Sequence, residues 1–306
     1  MMKQFFRWLI LGGTLFVLVK ALKDHWFEVT AIRIDAVGWA ILAIATGVTL
    51  LAHIWAGWIW TWVLVELNQP VESSQFIQVY LKTNIAKYLP GNVWHHYGRI
   101  LAAKNAHVST SAATLSVLLE SLLMAAAALM IIISFGGTFS GTNVNLITQI
   151  AQLLCLLGVL CVVHPRFLNL AIGILQRLKT KNNITNDSTT NVTIERYPLK
   201  PLLGELGFLG LRSIGFILTM FALSPLNWSQ IPLLIGAFSF AWLLGFVVPG
   251  APGGLGVFEV TAIAALQNRF PSGVVISAIA LYRLISILSE TAGAALASLD
   301  EHLTKS

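Results

Sequence analysis

Charge is what this sequence has least of. Asp, Glu, Lys and Arg make up 10% of the 306 residues, against about 25% in soluble domains. Hydrophobic residues make up 56%, and the mean hydropathy is +0.77. A water-soluble core cannot hide that much apolar surface, so lipid must solvate most of the chain, which makes it a polytopic membrane protein. Cysteine is scarce too. Cys155 and Cys161 share one apolar run with no Cys/His ligand spacing, which excludes a disulfide framework or metal site and makes them inert core residues. No G-x-S-x-G elbow, Walker lysine or Cys/His pair is present, so no catalytic residue is assigned and the chain is not expected to be an enzyme. His95 and His96, with His107, form the one histidine cluster. They lack a third ligand at suitable spacing, so headgroup contact is expected there rather than metal. No cofactor is called for. The net charge of +6 fits loop lysines and arginines that set membrane orientation, not nucleic-acid binding.

What is abundant is long apolar runs. Residues 5–22, 36–65, 111–135, 146–164, 201–223 and 273–297 each approach or exceed the roughly 18 residues that mark a membrane span. Lys3 and Arg7 precede the first as they would in a signal peptide, but Lys20, Lys23 and Asp24 follow where a cleavage site would stand. It reads as a retained span. Trp55, Trp58 and Trp62 share a helical face, which suits an interfacial anchor and core packing equally.

Two further regions break in the middle. In 73–105 an apolar stripe of Phe76, Ile77, Tyr80, Leu81 and Tyr88 is interrupted by polar residues and then by Pro90 and Gly91. In 231–268 the break lies between Pro249 and Gly256 and contains Gly250, Pro252, Gly253 and Gly254. Proline removes a backbone donor and crowds the preceding turn. At membrane depth such irregular backbone is tolerated only where protein or a wet cavity satisfies it. Both regions are therefore expected to be re-entrant hairpins whose breaks face the bundle interior.

The 165–200 connection carries Arg166, Arg177, Lys179, Lys181, Arg196 and Lys200 against Asp187 and Glu195, which assigns it to the cytoplasm. The N-x-Ser/Thr matches at Asn183, Asn186 and Asn191 are then chance. Tracing from that loop puts both termini in the cytoplasm, in the plasma (inner) membrane. The same trace gives one all-α transmembrane domain over 1–306. Repeat one spans about 36–135 and repeat two about 201–297, and each is a span, a broken hairpin and a span. Residues 146–164 between them invert the second, the architecture of many transporters, whose sites lie at broken helices.

Four charges fall at related places: Arg99 then Glu120 after the first break, and Glu259 then Arg283 after the second. A charge at bilayer depth costs roughly 2.5–3.5 kcal/mol on insertion scales, so such groups face the interior in pairs. Two readings stand. The four are fixed ion pairs that lock helix register, or the arginines and half-helix N-termini present positive potential to an anionic headgroup. Glu259 sits in the first turn of a half-helix and is expected to pair with Arg99 or Arg283. Lys87 and Glu290 are further candidates.

The segments "KYLPGNVWHHYGR", "VPGAPGGLGVFE" and "YRLIS" resemble the flippase-like membrane region of the lysylphosphatidylglycerol synthetase family. The most specific parts are Leu89, Pro90, Gly91, Gly98 and Arg99, and Pro252 through Glu259; Arg283 fits the arginine of the last span. The resemblance implies a protein that moves an anionic or modified (glyco)phospholipid, or a lipid-linked substrate, between leaflets. Two-domain members carry a soluble aminoacyl-transfer domain after the membrane part, which this sequence does not show, so lysyl transfer is not expected of it. Two other classes stay open: a membrane accessory or scaffold protein for a lipid-modifying or glycosyl-transferring enzyme, and an intramembrane lipid-modifying enzyme. Partners are thus a membrane lipid, a membrane enzyme or a second copy of the chain.

Overall fold

The computed structural model describes residues 23, 26–89, 92–135, 146–167, 169–170, 196–248 and 251–305. Among them there is no strand, and ten α-helices make the fold. They are α1 (Trp26–Ala31), α2 (Ala36–Glu66), α3 (Ser73–Asn84), α4 (Trp94–Asn105), α5 (Thr110–Phe135), α6 (Leu146–Val163), α7 (Leu199–Leu223), α8 (Ile231–Val247), α9 (Val257–Leu266) and α10 (Ser272–Lys305). The spans expected at 36–65, 111–135, 146–164, 201–223 and 273–297 are all helical. The expected span 5–22 lies outside the described residues, as does 171–195, most of the 165–200 loop, with its three N-x-Ser/Thr sites.

Local chemistry sets the ends of these helices. The Asp35 carboxylate accepts a hydrogen bond from the Gly38 amide at 2.7 Å and caps α2. Helix α10 runs past 297, where its polar extension has partners: Asp300 accepts from Gln78 at 2.6 Å, and Glu301 pairs with Lys82.

Among the described residues five helical segments are long and apolar enough to cross a membrane: Ala36–Glu66, Thr110–Phe135, Leu199–Leu223, Trp228–Val247 and Ser272–Leu303. The fourth includes α8, so the first limb of the 231–268 region is longer than the half-helix expected from its break. The first limb of 73–105 differs. Helix α3 is short and amphipathic, burying Phe76, Tyr80 and Leu81 while Gln78 and Lys82 reach toward α10.

Helices α2 and α7 pack together more extensively than any other pair. Around them the contacts exchange in a regular way. Helix α2 touches α3 as α7 touches α8, α3 touches α10 as α8 touches α5, and α2 touches α10 as α7 touches α5. Among the described residues the two larger apolar cores lie around Trp60, Phe76, Leu119 and Leu209 and around Phe216, Phe238, Phe258 and Tyr282, with a small third at Leu42, Ala45 and Ile285. Trp55, Trp58 and Trp62 form one aromatic group with centroids 5.3–5.6 Å apart, and Trp55 donates to the Gly204 carbonyl of α7 at 2.9 Å. Cys155 and Cys161 are free thiols but lie exposed on α6, not in a core as expected. An apolar run does not say which helix stripe meets a neighbour, and these two positions face away from the bundle.

Candidate functional site

The two broken regions meet. A 3-10 turn, Ile85–Tyr88, ends the first limb of one, and another, Pro252–Gly254, lies in the break of the other. Gly253 has φ +59°, and a Cβ there would come within 2.6 Å of the Tyr88 ring. Glycine is needed twice over, for the left-handed backbone and for the close approach. Pro90, Gly91, Pro249 and Gly250 lie outside the described residues, but their neighbours Tyr88 and Gly253 bring the breaks into contact.

Glu259 explains the second break. Its Oε2 accepts a hydrogen bond from the Gly256 amide at 2.6 Å, while Oε1 accepts from Arg283 Nε at 2.5 Å. Gly256 has φ +84° and starts α9. A carboxylate three residues into a helix that reaches back to the N-cap amide is half of a capping box, and the helix dipole favours its charge. Arg283 Nη1 also donates to the Gly253 carbonyl at 3.1 Å, tying α10 to the glycine turn.

The first set holds its own pair. Arg99 Nη1 donates to Glu120 Oε2 at 2.9 Å, and the guanidinium lies 3.6 Å from the Tyr80 ring centroid. Both partners are buried, at 3% and 1% exposure. Each of the four predicted charges therefore pairs within its own set, across the second limb and the following span. Arg99 and Glu259 occupy corresponding places, as do Glu120 and Arg283, with the signs exchanged. The alternative partnership of Glu259 with Arg99 does not occur.

A third group links the sets. Lys87 donates to Glu290 Oε1 at 2.6 Å, and His53 Nε2 lies 3.2 Å from the same oxygen. That nitrogen is also 3.1 Å from Arg212 Nη1, and His53 Nδ1 faces Asn84 at 3.4 Å. Sequence reasoning missed His53, Glu205 and Arg212. The signal was there. Each is a polar or ionisable residue inside an apolar span, His53 and Arg212 roughly midway along α2 and α7, and the depth criterion that selects Glu120 selects them too.

These groups surround a cavity that opens to the surface. Its wall carries four cationic side chains, Lys87, Arg99, Arg212 and Arg283, against two carboxylates, Glu120 and Glu290. Gly253 and Gly254 line it; Glu259 stands behind Arg283, and Pro252 and Gly256 complete the turn beside it. Donors remain unused: Arg99 Nε, Arg212 Nε and Arg283 Nη2 are buried without a hydrogen-bond partner. His95 and His96 also line the cavity, ring centroids 3.8 Å apart, each with an unpartnered Nδ1. The α8 wall is wholly apolar, formed by Trp242, Gly245 and Phe246, and Phe208 of α7 packs edge-on against Trp242. Glu120 lies roughly 15 Å along α5 at about 1.5 Å per residue, so the charged wall sits well inside the apolar span. Among the described residues no group of three or more His, Cys, Asp or Glu could hold a metal ion.

Such a cavity can take up an amphiphile, with acceptor oxygens on the arginines and apolar groups on α8. The family model described as Lysylphosphatidylglycerol synthase TM region matches residues 5–292. No curated protein matches the chain.

Proposed function

The chain belongs to the lysylphosphatidylglycerol synthase TM-region family, an integral membrane family, and from that premise we propose that it is a lipid flippase or carrier. Its substrate is an anionic or modified phospholipid, and Arg99, Arg212, Arg283 and Lys87 receive the headgroup. The observation that carries this reading is the cationic excess at the cavity, Lys87, Arg99, Arg212 and Arg283 against Glu120, Glu290 and the Glu259 behind Arg283, beside an apolar face. An anionic headgroup offsets that excess, and its oxygens take up the three unused guanidinium donors. Two re-entrant hairpins in an inverted repeat provide the mechanical frame. The exchange of helix contacts between α2–α5 and α7–α10 supports it, as does the sign-exchanged placing of the two ion pairs. Alternating exposure of the cavity to the two leaflets then follows from rocking one repeat against the other.

The test is translocation of a tail-labelled anionic phospholipid in reconstituted vesicles. Arg99→Ala and Glu259→Gln are each expected to abolish it while the protein still purifies as a folded species. Wild-type rates in both variants would remove the cavity from the mechanism. A second reading is favoured by one observation, that both predicted pairs are already complete inside their own sets. On it the chain is an accessory protein whose charges are structural, and a stoichiometric membrane-enzyme partner co-purifies while the isolated protein exchanges no lipid.

A further inference from the structure

Behind the cavity wall lies a carboxylate that the lipid reading does not use. Glu205 of α7 is fully buried, at 0% exposure, and neither of its oxygens has a hydrogen-bond partner. It does not line the cavity. Among the described residues the charges acting on it are Glu120 of α5 and Arg99 of α4, and Tyr80 of α3 lies beside all three. On α2, Ile59 and Trp62 pack at the adjoining Gly204. Two carboxylates thus share one guanidinium, which is committed to Glu120 Oε2 and stacked on Tyr80. Glu120 Oε1 is unpartnered and belongs to a cavity-lining residue.

An isolated ionised carboxylate is not tolerated in a dry apolar interior; it must be paired or neutralised. Among the described residues Glu205 has no cation of its own and no donor to either oxygen, so the group of Arg99, Glu120 and Glu205 carries one negative charge too many when fully ionised. We infer that Glu205 and Glu120 together form a proton-binding site that holds one proton with the cavity empty and exchanges a second with the cavity through Glu120. Arg99 couples the site to whatever occupies the cavity. When an acceptor oxygen of a bound anion engages Arg99, the Arg99–Glu120 hydrogen bond is given up. The released Glu120 carboxylate then takes its own proton from cavity water while Glu205 keeps the first, forming an O–H bond and leaving hydroxide to the bulk. When the anion departs, Arg99 returns and the proton goes back to water. Each anion therefore crosses with a proton. The proton site stands on the burial of Glu205 and its two unpartnered oxygens, whereas this coupling rests on the lipid-carrier reading. Intramembrane carboxylates that serve as proton relays in pumps and transporters act by the same chemistry.

The full chain in nanodiscs gives the direct measurement, the infrared carbonyl stretch of protonated carboxyl groups followed across a pH titration. The wild type is expected to show a titrating carboxyl band that Glu205→Gln removes and Glu205→Asp only shifts. The neutral carboxamide matches the shape of the protonated acid, so folding is preserved, and Glu205→Asp retains the function should it not be. In parallel, translocation of tail-labelled phosphatidylglycerol in phosphatidylcholine vesicles is measured with and without an imposed pH gradient. The gradient is expected to change the wild-type rate several-fold and to leave the Glu120→Gln rate unchanged. A band that survives both Glu205→Gln and Glu120→Gln overturns the site, as does a rate that follows a sodium gradient and ignores pH. A band lost in Glu205→Gln with no lipid movement by the wild type supports the proton site and overturns the carrier reading instead.

Discussion

The first broken region and the second hold corresponding places in the bundle, yet they bring opposite chemistry to the cavity. Helix α3 and the turn after it supply Tyr80, Asn84, Lys87 and Tyr88, all polar at the tip. Helix α8, in the corresponding place, supplies Trp242, Gly245 and Phe246. The ion pairs differ in the same sense. Arg99 is enclosed, stacked on Tyr80 and held by Glu120, whereas Arg283 keeps a partly exposed side chain and shares its donors between Glu259 and the Gly253 carbonyl. The cavity thus has both a polar and an apolar lining, which suits a ligand that is itself half polar and half apolar.

The sharpest way to break the comparison is to remove one member of each pair. Glu120→Leu strands Arg99 at 3% exposure, and losing one partner of a buried pair costs about 3–5 kcal/mol. Glu259→Leu is expected to cost clearly less, because Arg283 keeps the Gly253 carbonyl and some solvent. Thermal unfolding in one detergent checks both; equal losses would erase the asymmetry between the halves.

A smaller effect is expected where the two regions touch. Gly253→Ala places a methyl group against the Tyr88 ring and holds a left-handed backbone that alanine resists, a strain of about 1–3 kcal/mol. The same thermal measurement should show a loss between those of Glu120→Leu and a surface variant, and an unchanged midpoint would mean the turns do not meet as described. The surface variant itself gives the smallest shift. Lys82→Ala removes the Lys82–Glu301 pair, whose side chains are 31% and 38% exposed. Exposed pairs contribute roughly 0–1 kcal/mol. A drop comparable to that of Glu120→Leu would make the outer end of the α3–α10 contact a principal clamp rather than a trim.

Much of the fold was legible in the residues. The spans at 36–65, 111–135 and 201–223 emerged with their ends nearly in place, because lipid demands about 20 apolar residues and tolerates few exceptions. The cap on α9 was legible too, since Gly256 and Glu259 stand at capping-box spacing. The length of α8 was not, because proline and glycine announce where a helix stops but not how far back it begins. Glu205 and Arg212 were passed over, although a charged residue within a span is as visible there as Glu120 in its own.

By itself the sequence determined a lipid-solvated helical bundle, two interrupted regions and four charges that could not face acyl chains, since the cost of leaving a polar group in hydrocarbon acts locally and leaves its mark in composition and spacing. Only the tertiary structure decided the partners: that Arg99 takes Glu120 and Arg283 takes Glu259, that Lys87 finds Glu290 and His53 finds Arg212 across the two sets, and that Glu205 is left with none. Pairing across long separations depends on which helix faces meet, and that is set by the packing of the whole bundle.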